Sequence, residues 1–120
     1  MKQRIFAGND SEMLLTCEII ADNAIHHIEM IQTINSSWNL KYFKALQKDI
    51  RKLLSSDPEN DQLSQKEKDA IIDKMNRIYE ETMLYSQSMQ LIFDGEPVRK
   101  KQFTYAHILS GFRSKQKNPE

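Results

Sequence analysis

Glycine and proline are scarce, with three of each in 120 residues. That is too few turn-formers for the many tight connections of a β-sandwich or small barrel. Gly8, Gly95 and Gly111 stand far apart, which excludes the phosphate-cradling loops of P-loop and dinucleotide-binding proteins. No G-x-S-x-G elbow occurs, so the nucleophile turn of the α/β-hydrolases is missing. The single Cys17 excludes an intramolecular disulfide and a zinc site of paired cysteines, and it fits a reducing compartment. Apolar runs are short as well. Ile5-Phe6-Ala7, which follows Lys2 and Arg4, stops at Gly8-Asn9-Asp10, too soon for a signal peptide or a membrane span. These shortages lead to the expectation of a cytoplasmic protein with no membrane partner.

Net charge is also missing: 17 basic side chains balance 17 acidic ones. The zero hides four opposed segments. Residues 1–36 carry net −3, residues 37–54 net +4, residues 55–95 net −5 and residues 96–120 net +4. If each segment is a helix beside its neighbour, the rims attract. The pattern speaks to assembly rather than to chemistry.

What is present is helical periodicity. Asp10 or Ser11 can cap a first helix over 11–34. Its seam is Leu14, Cys17, Ala21, Ala24, Ile28 and Ile31, at alternating spacings of three and four. Asn35-Ser36-Ser37 stops it and opens a second helix over 38–54. Phe43, Leu46, Ile50 and Leu53 form its inner face, with Leu40, Tyr42 and Leu54 at the edges. An acidic loop around Pro58 follows. Ser64 with Glu67 then makes a capping box. The third helix, over 65–93, carries Ile71, Met75, Ile78, Thr82, Tyr85, Met89 and Ile92 in a seven-residue rhythm, and Asp94-Gly95 ends it. Val98 to Phe112 reads as a shorter last helix, although Phe103-Thr104-Tyr105 also suits a strand. The expected fold is all-α: an antiparallel up-down bundle of three long helices and a shorter C-terminal one. The expected domain is the whole chain, 1–120, with flexible termini at 1–9 and 113–120.

Three groups of residues bear on function. Glu18, Asp22, His26 and Glu29 follow one side of the first helix at spacings of 4, 4 and 3. Such a row ligates metal inside bundles, but here it lies opposite the apolar seam, where a solvated face with i,i+4 pairing is the better reading. No metal and no cofactor is expected. His27 sits at the seam's edge, where a hydrogen-bonded core role outweighs catalysis without a positioned partner, and His107 carries the same ambiguity. Cys17 in the seam reads as a small apolar residue.

The second group is a basic stripe, Lys41, Lys44, Lys48, Arg51 and Lys52, within about 100° of one another on the second helix. Arg99, Lys100, Lys101, Arg113, Lys115 and Lys117 extend it in sequence. The stripe can neutralise phosphates, and Phe103, Tyr105 and Phe112 can stack on bases. The neutral total argues against a dedicated nucleic-acid binder.

The third group is apolar residues on polar faces. Leu84 and Leu91 stand seven apart among Asp73, Arg77, Glu80 and Gln87, and Leu15, Ile19 and Met30 do the same on the first helix. A row at heptad spacing calls for a cover, either the C-terminal segment or a second copy. The favoured reading is a non-catalytic interaction or regulatory module with a protein partner, self-associating through Leu84 and Leu91. The alternative is a nucleic-acid-associated accessory protein using the stripe and the basic C-terminal segment. A metal-dependent enzyme is the least favoured.

Overall fold

The computed structural model describes residues 2–117, with side chains as far as Phe112. Residues 118–120 and the side chains of Arg113, Lys115 and Lys117 lie outside it, so the basic extension expected there and the last three residues of the expected flexible end, 113–120, fall beyond the described part. Every regular element is helical: α1 (Asp10–His26), α2 (Ile28–Ile34), α3 (Leu40–Leu54), α4 (Gln65–Ile92), α5 (Pro97–Lys101) and α6 (Tyr105–Lys117). The all-α class follows directly. Six helices stand where three long ones and a short one were expected, for reasons local to two junctions.

The first junction is His27. The expected continuous helix over 11–34 breaks there, with the backbone at φ −121°, ψ 34°. Its N–H bonds back to the Ala24 carbonyl at 3.0 Å, and its own carbonyl starts α2 by accepting from Ile31. No glycine or proline causes the break. The imidazole instead packs edge-on against Phe93 at 5.2 Å and near Phe103 at 6.0 Å. Aromatic contacts of this kind contribute about 0.5–1.5 kcal/mol each, comparable to the net ~1 kcal/mol of a backbone hydrogen bond given up at the kink. Beyond it the seam weakens. Ile31 is buried, Ile28 only half-buried, and Ile34 exposed.

The second junction divides the C-terminal segment. Pro97 occupies the first turn of α5, where a missing N–H is harmless. Phe103 then turns fully inward, stacked 5.8 Å from Phe93, and α6 begins two residues later. Strand propensity at 103–105 is overridden by this anchoring.

Helix starts follow side-chain chemistry. Asn9, rather than Asp10 or Ser11, caps α1. Its Oδ1 accepts from the Glu12 N–H at 2.8 Å while Glu12 Oε1 accepts from the Asn9 N–H at 2.9 Å. Asn9 wins because only it has a glutamate three residues on. Asn39, not Ser37, caps α3. Ser64 and Glu67 make the expected box on α4.

Helix α1 is the centre of the structure, packing on α3, α4 and α6. Met13, Leu14, Cys17, Ile20, Ala21 and Ala24 are all buried. The small Cys17, Ala21 and Ala24 let neighbours approach closely, and Phe43, Leu46, Ile50 and Leu53 of α3 bury as expected. Residues 2–7 lie across α4 and α6. The Asn76 amide clamps this strap, accepting from the Ile5 N–H at 3.2 Å and donating to the Gln3 carbonyl at 2.9 Å. Phe6 is buried against Tyr79, and the Tyr105 hydroxyl donates to the Ala7 carbonyl at 2.8 Å. Gly8 (φ +90°) turns the chain into α1 where a Cβ would meet Leu109 at 3.0 Å. Glycine is required there both by the left-handed backbone and by the closeness of α6.

Candidate interaction surface

Helices α3 and α4 touch less intimately than α1 and α3, and a groove of about 480 Å³ opens between them. Leu46 and Leu53 of α3 with Ile71 and Ile78 of α4 make its floor. Lys52, Lys74 and Arg77 stand on its rim with Asp49 and Glu81. Glu81 is engaged, since the Tyr42 hydroxyl donates to it at 2.6 Å. Burial first, then that carboxylate, push the Tyr42 phenol well above its ordinary range. Among the described residues, Lys52, Lys74 and Arg77 form no ion pair.

The α4 wall of the groove continues into the leucine row. Ala70, Arg77, Leu84 and Leu91 recur every seven residues, a spacing that drifts only about 20° per step around the helix. Leu84 is 62% and Leu91 78% exposed. The described part of the C-terminal segment does not cover them. Its anchors run to α1, to the strap and to the inner side of α4: Phe103 to His27 and Phe93, the Phe103 carbonyl to the Gln90 amide at 2.7 Å, Tyr105 to Ala7, and the Gln102 carbonyl to the Asn23 amide at 2.8 Å. Of the other apolar residues read as outward, Ile19 is exposed, and Leu15 and Met30 are half-buried.

The five stripe residues, Lys41, Lys44, Lys48, Arg51 and Lys52, are all exposed on α3. Arg51 reaches across to Glu18 of α1 at 3.3 Å. That is the one α1–α3 ion pair among the described residues, so the charge alternation of the segments is barely used between helices within the chain. Lys41, Lys44 and Lys48 form no ion pair there either. Arg99 and Lys100 pair locally, with Glu96 at 3.5 Å and Asp94 at 3.2 Å, and Arg99 lies over the Phe93 ring at 5.8 Å. Lys101 is exposed.

The α1 row does not converge. Asp22 and His26 pair along the helix at 3.7 Å, while Glu18 turns to Arg51. Among the described residues, no three His, Cys, Asp or Glu side chains are grouped to hold a metal. His107 is exposed. Cys17 is buried, its thiol pointing at the Met13 sulfur at 3.7 Å, and burial pushes its pKa up to about 12. A thiol held protonated is a poor nucleophile.

No protein-family model, curated protein or solved structure matches the chain. No described helix is long and apolar enough to cross a membrane. Two features escape sequence reasoning. The groove needs two helices in register, and the Asn76 clamp needs the strap; no local pattern marks either.

Proposed function

We propose that this chain is a non-catalytic helical interaction module that self-associates through the outward row of α4. The observation that carries this reading is the exposure of Leu84 and Leu91 on the longest helix, uncovered by any described part of the chain. An apolar row with a polar border is the arrangement interfaces favour. The underlying architecture is an antiparallel up-down bundle. Contacts of Arg51 with Glu18 and of Arg4 with both Asp10 and Glu59 support opposed α1 and α3. The groups read for chemistry are otherwise engaged, Cys17 by burial, His27 by two aromatic rings and His26 by its own helix.

Light scattering tests the proposal. The wild type should run as a dimer at high concentration, and Leu84→Glu with Leu91→Glu should give a monomer of unchanged helicity. A monomeric wild type at millimolar concentration refutes self-association. Lost stability at unchanged mass would instead mark the row as internal packing.

A second reading rests on Lys41, Lys44 and Lys48, exposed and without ion pairs among the described residues. They suit a phosphate backbone. Binding to nucleic acid should fall steeply with salt and vanish in Lys44→Glu with Lys48→Glu. Absence of binding at low salt removes this reading.

A further inference from the structure

The strap, residues 2–7, is gripped chiefly by its backbone. Asp69 accepts from the Lys2 N–H at 2.9 Å. The Asn76 amide takes the Ile5 N–H and the Gln3 carbonyl, and the Tyr105 hydroxyl donates to the Ala7 carbonyl. Asp69 and Asn76 stand seven residues apart on α4, about 10 Å at ~1.5 Å per residue and nearly on one line. Lys2 to Ile5 is three residues, which cover about 10 Å only when the chain is extended. The polar side chains of α4 therefore match the repeat of an extended backbone. The strap's own side chains alternate. Lys2 pairs with Asp73 at 3.4 Å, Arg4 with Asp10 and with Glu59 at 3.1 Å, and Phe6 is buried beside Tyr79. Gln3, Ile5 and Ala7 between them are exposed, the period of two that an extended chain imposes. Main-chain bonds that hold any sequence, with separate contacts for alternate side chains, are a general means of gripping a peptide.

The strap is also lightly attached for its length. Among residues 2–7 only Phe6 is buried. The ion pairs of Lys2 and Arg4 lie at the surface, where such pairs contribute little. Gly8 (φ +90°) separates the strap from the Asn9–Glu12 box, which starts α1 by its own bonds.

We infer that the face of α4 and α6 beneath the strap is a binding site for extended peptides with basic, basic and aromatic side chains at alternate positions, and that residues 2–7 occupy it in cis as a displaceable occupant. The ligand class is read from that occupant, Lys2, Arg4 and Phe6, and from what each meets: Asp73, Glu59 and the Tyr79 ring. A tethered segment competes at an effective concentration in the millimolar range. A free peptide therefore takes the site only when it is abundant or when the strap is weakened. The site needs no second copy, so a monomeric wild type would end the self-association proposed above and leave this site standing.

The test uses the full chain with its own anchor removed, Phe6→Ala, and a synthetic peptide of residues 2–7. The peptide is acetylated, to keep the Lys2 N–H, and carries a dye at its C-terminus. Fluorescence anisotropy should show saturable binding to the folded Phe6→Ala chain, about tenfold or more tighter than to wild type. Affinity should fall about fivefold or more when Asn76→Ala is added to the chain, and likewise when Phe6→Ala is made in the peptide. Unchanged affinity in either case, equal binding to wild type and variant, or no binding to a folded variant overturns the inference. So does a Phe6→Ala chain that does not fold, because the site could not then stand empty. Hydrogen exchange of the wild type checks the opening independently. The Ile5 amide should exchange about tenfold or more faster than the buried amides of Cys17 and Ile20, through an opening insensitive to denaturant. An Ile5 amide that exchanges only by global unfolding would make the strap part of the core and leave no site to vacate.

Discussion

Tyr85 gives the sharpest test of the core. Its ring is fully buried, edge-on to Phe43 at 4.9 Å and near Trp38 at 6.3 Å. Its hydroxyl and the neighbouring Thr82 hydroxyl are both buried, and neither meets full hydrogen-bond geometry, although Thr82 lies close enough to Tyr85 and to Cys17 to favour their ionised forms slightly. Burial pushes the Tyr85 phenol well above its ordinary range, which keeps it neutral. An unsatisfied buried hydroxyl costs about 1–3 kcal/mol. Removing it in Tyr85→Phe leaves a void of roughly 10 Å³, worth about 0.2 kcal/mol at ~24 cal/mol per Å³. The ring contacts survive. The variant should therefore be more stable than wild type by about 0.5–2.5 kcal/mol, the low end allowing for backbone and neighbour adjustment. An unfolding entropy of ~2.1 cal/mol/K per residue converts this to a Tm rise of roughly 2–10 °C. Melting followed by circular dichroism reads it directly. A fall in Tm would refute the reasoning, because it would mean the hydroxyl is satisfied in solution. The natural agent is a buried water shared with Thr82. Thr82→Val in a double-mutant cycle then identifies the sharing: strong coupling indicates that the two hydroxyls bond each other or one bridging water, and additivity indicates two independent unpaired groups.

Four further outcomes are expected. Ile50→Ala, at a fully buried position of α3, should lose about 2–5 kcal/mol in denaturant titration, and a loss below about 0.5 kcal/mol would mean the wrong face of α3 is inward. Asn76→Ala should lose about 0.5–1.5 kcal/mol for each of its two hydrogen bonds to the Ile5 N–H and the Gln3 carbonyl, which water can then reach, and should expose residues 2–7 to limited proteolysis. Cys17 should resist a thiol reagent at pH 8 until denaturant is added, and rapid labelling of the native protein would contradict its burial. Hydrogen bonds from the Ser64 backbone and hydroxyl hold the Glu67 carboxyl below its usual range, and the Lys2 N–H does the same for Asp69. Their stabilisation is thus fully present above about pH 4–5, the ordinary carboxylate range, and is lost as pH falls through the lower folded values. Glu67→Gln should flatten part of that acid limb, and an unchanged limb would remove the α4 capping box from the acid response.

What was legible in the sequence was local. The Ser64–Glu67 box, the inner face of α3 and the middle of the α4 seam, Met75 to Met89, depend on residues within a turn or two of each other, so their spacing is their cause; at the seam's ends Ile72 and Phe93 turn inward while Ile71 is half-buried and Ile92 exposed. The break at His27 depends on Phe93 and Phe103, which are remote in sequence, and a helix-favouring stretch without glycine or proline carries no trace of it. The cap of α1 lies one or two residues before the expected Asp10 or Ser11, because Asp, Ser and Asn all cap well. The decisive partner was Glu12, three positions after Asn9. The division of 96–112 into α5 and α6 likewise turned on one inward phenylalanine. On the candidate surface, the Leu84–Leu91 row was visible as periodicity. Its exposure among the described residues was not, because covering depends on where the C-terminal segment goes.

The segmental charge is used little within the chain. Opposed segments were expected to attract where helices meet within the chain, yet only Arg51 and Glu18 do so between α1 and α3 among the described residues. The others pair along their own helix or with the strap and loops, as Lys2 does with Asp73 and Arg4 with Glu59. Exposed pairs of this kind contribute little to stability, typically 0–1 kcal/mol. Charge arranged in blocks and left unpaired has a different physical effect: it orients encounters and penalises wrong registers. On α4 the charges are mixed instead: Lys66, Lys68, Lys74 and Arg77 stand against Glu67, Asp69 and Asp73 in its first half, and of the acids beside the leucines Glu81 accepts from Tyr42 and Asp94 pairs with Lys100. The proposed self-association through Leu84 and Leu91 therefore rests on apolar contact more than on charge. Raising ionic strength should leave it largely unchanged or strengthen it. A dimer that dissociates steeply as salt rises would show that charge, and not the apolar row, drives assembly.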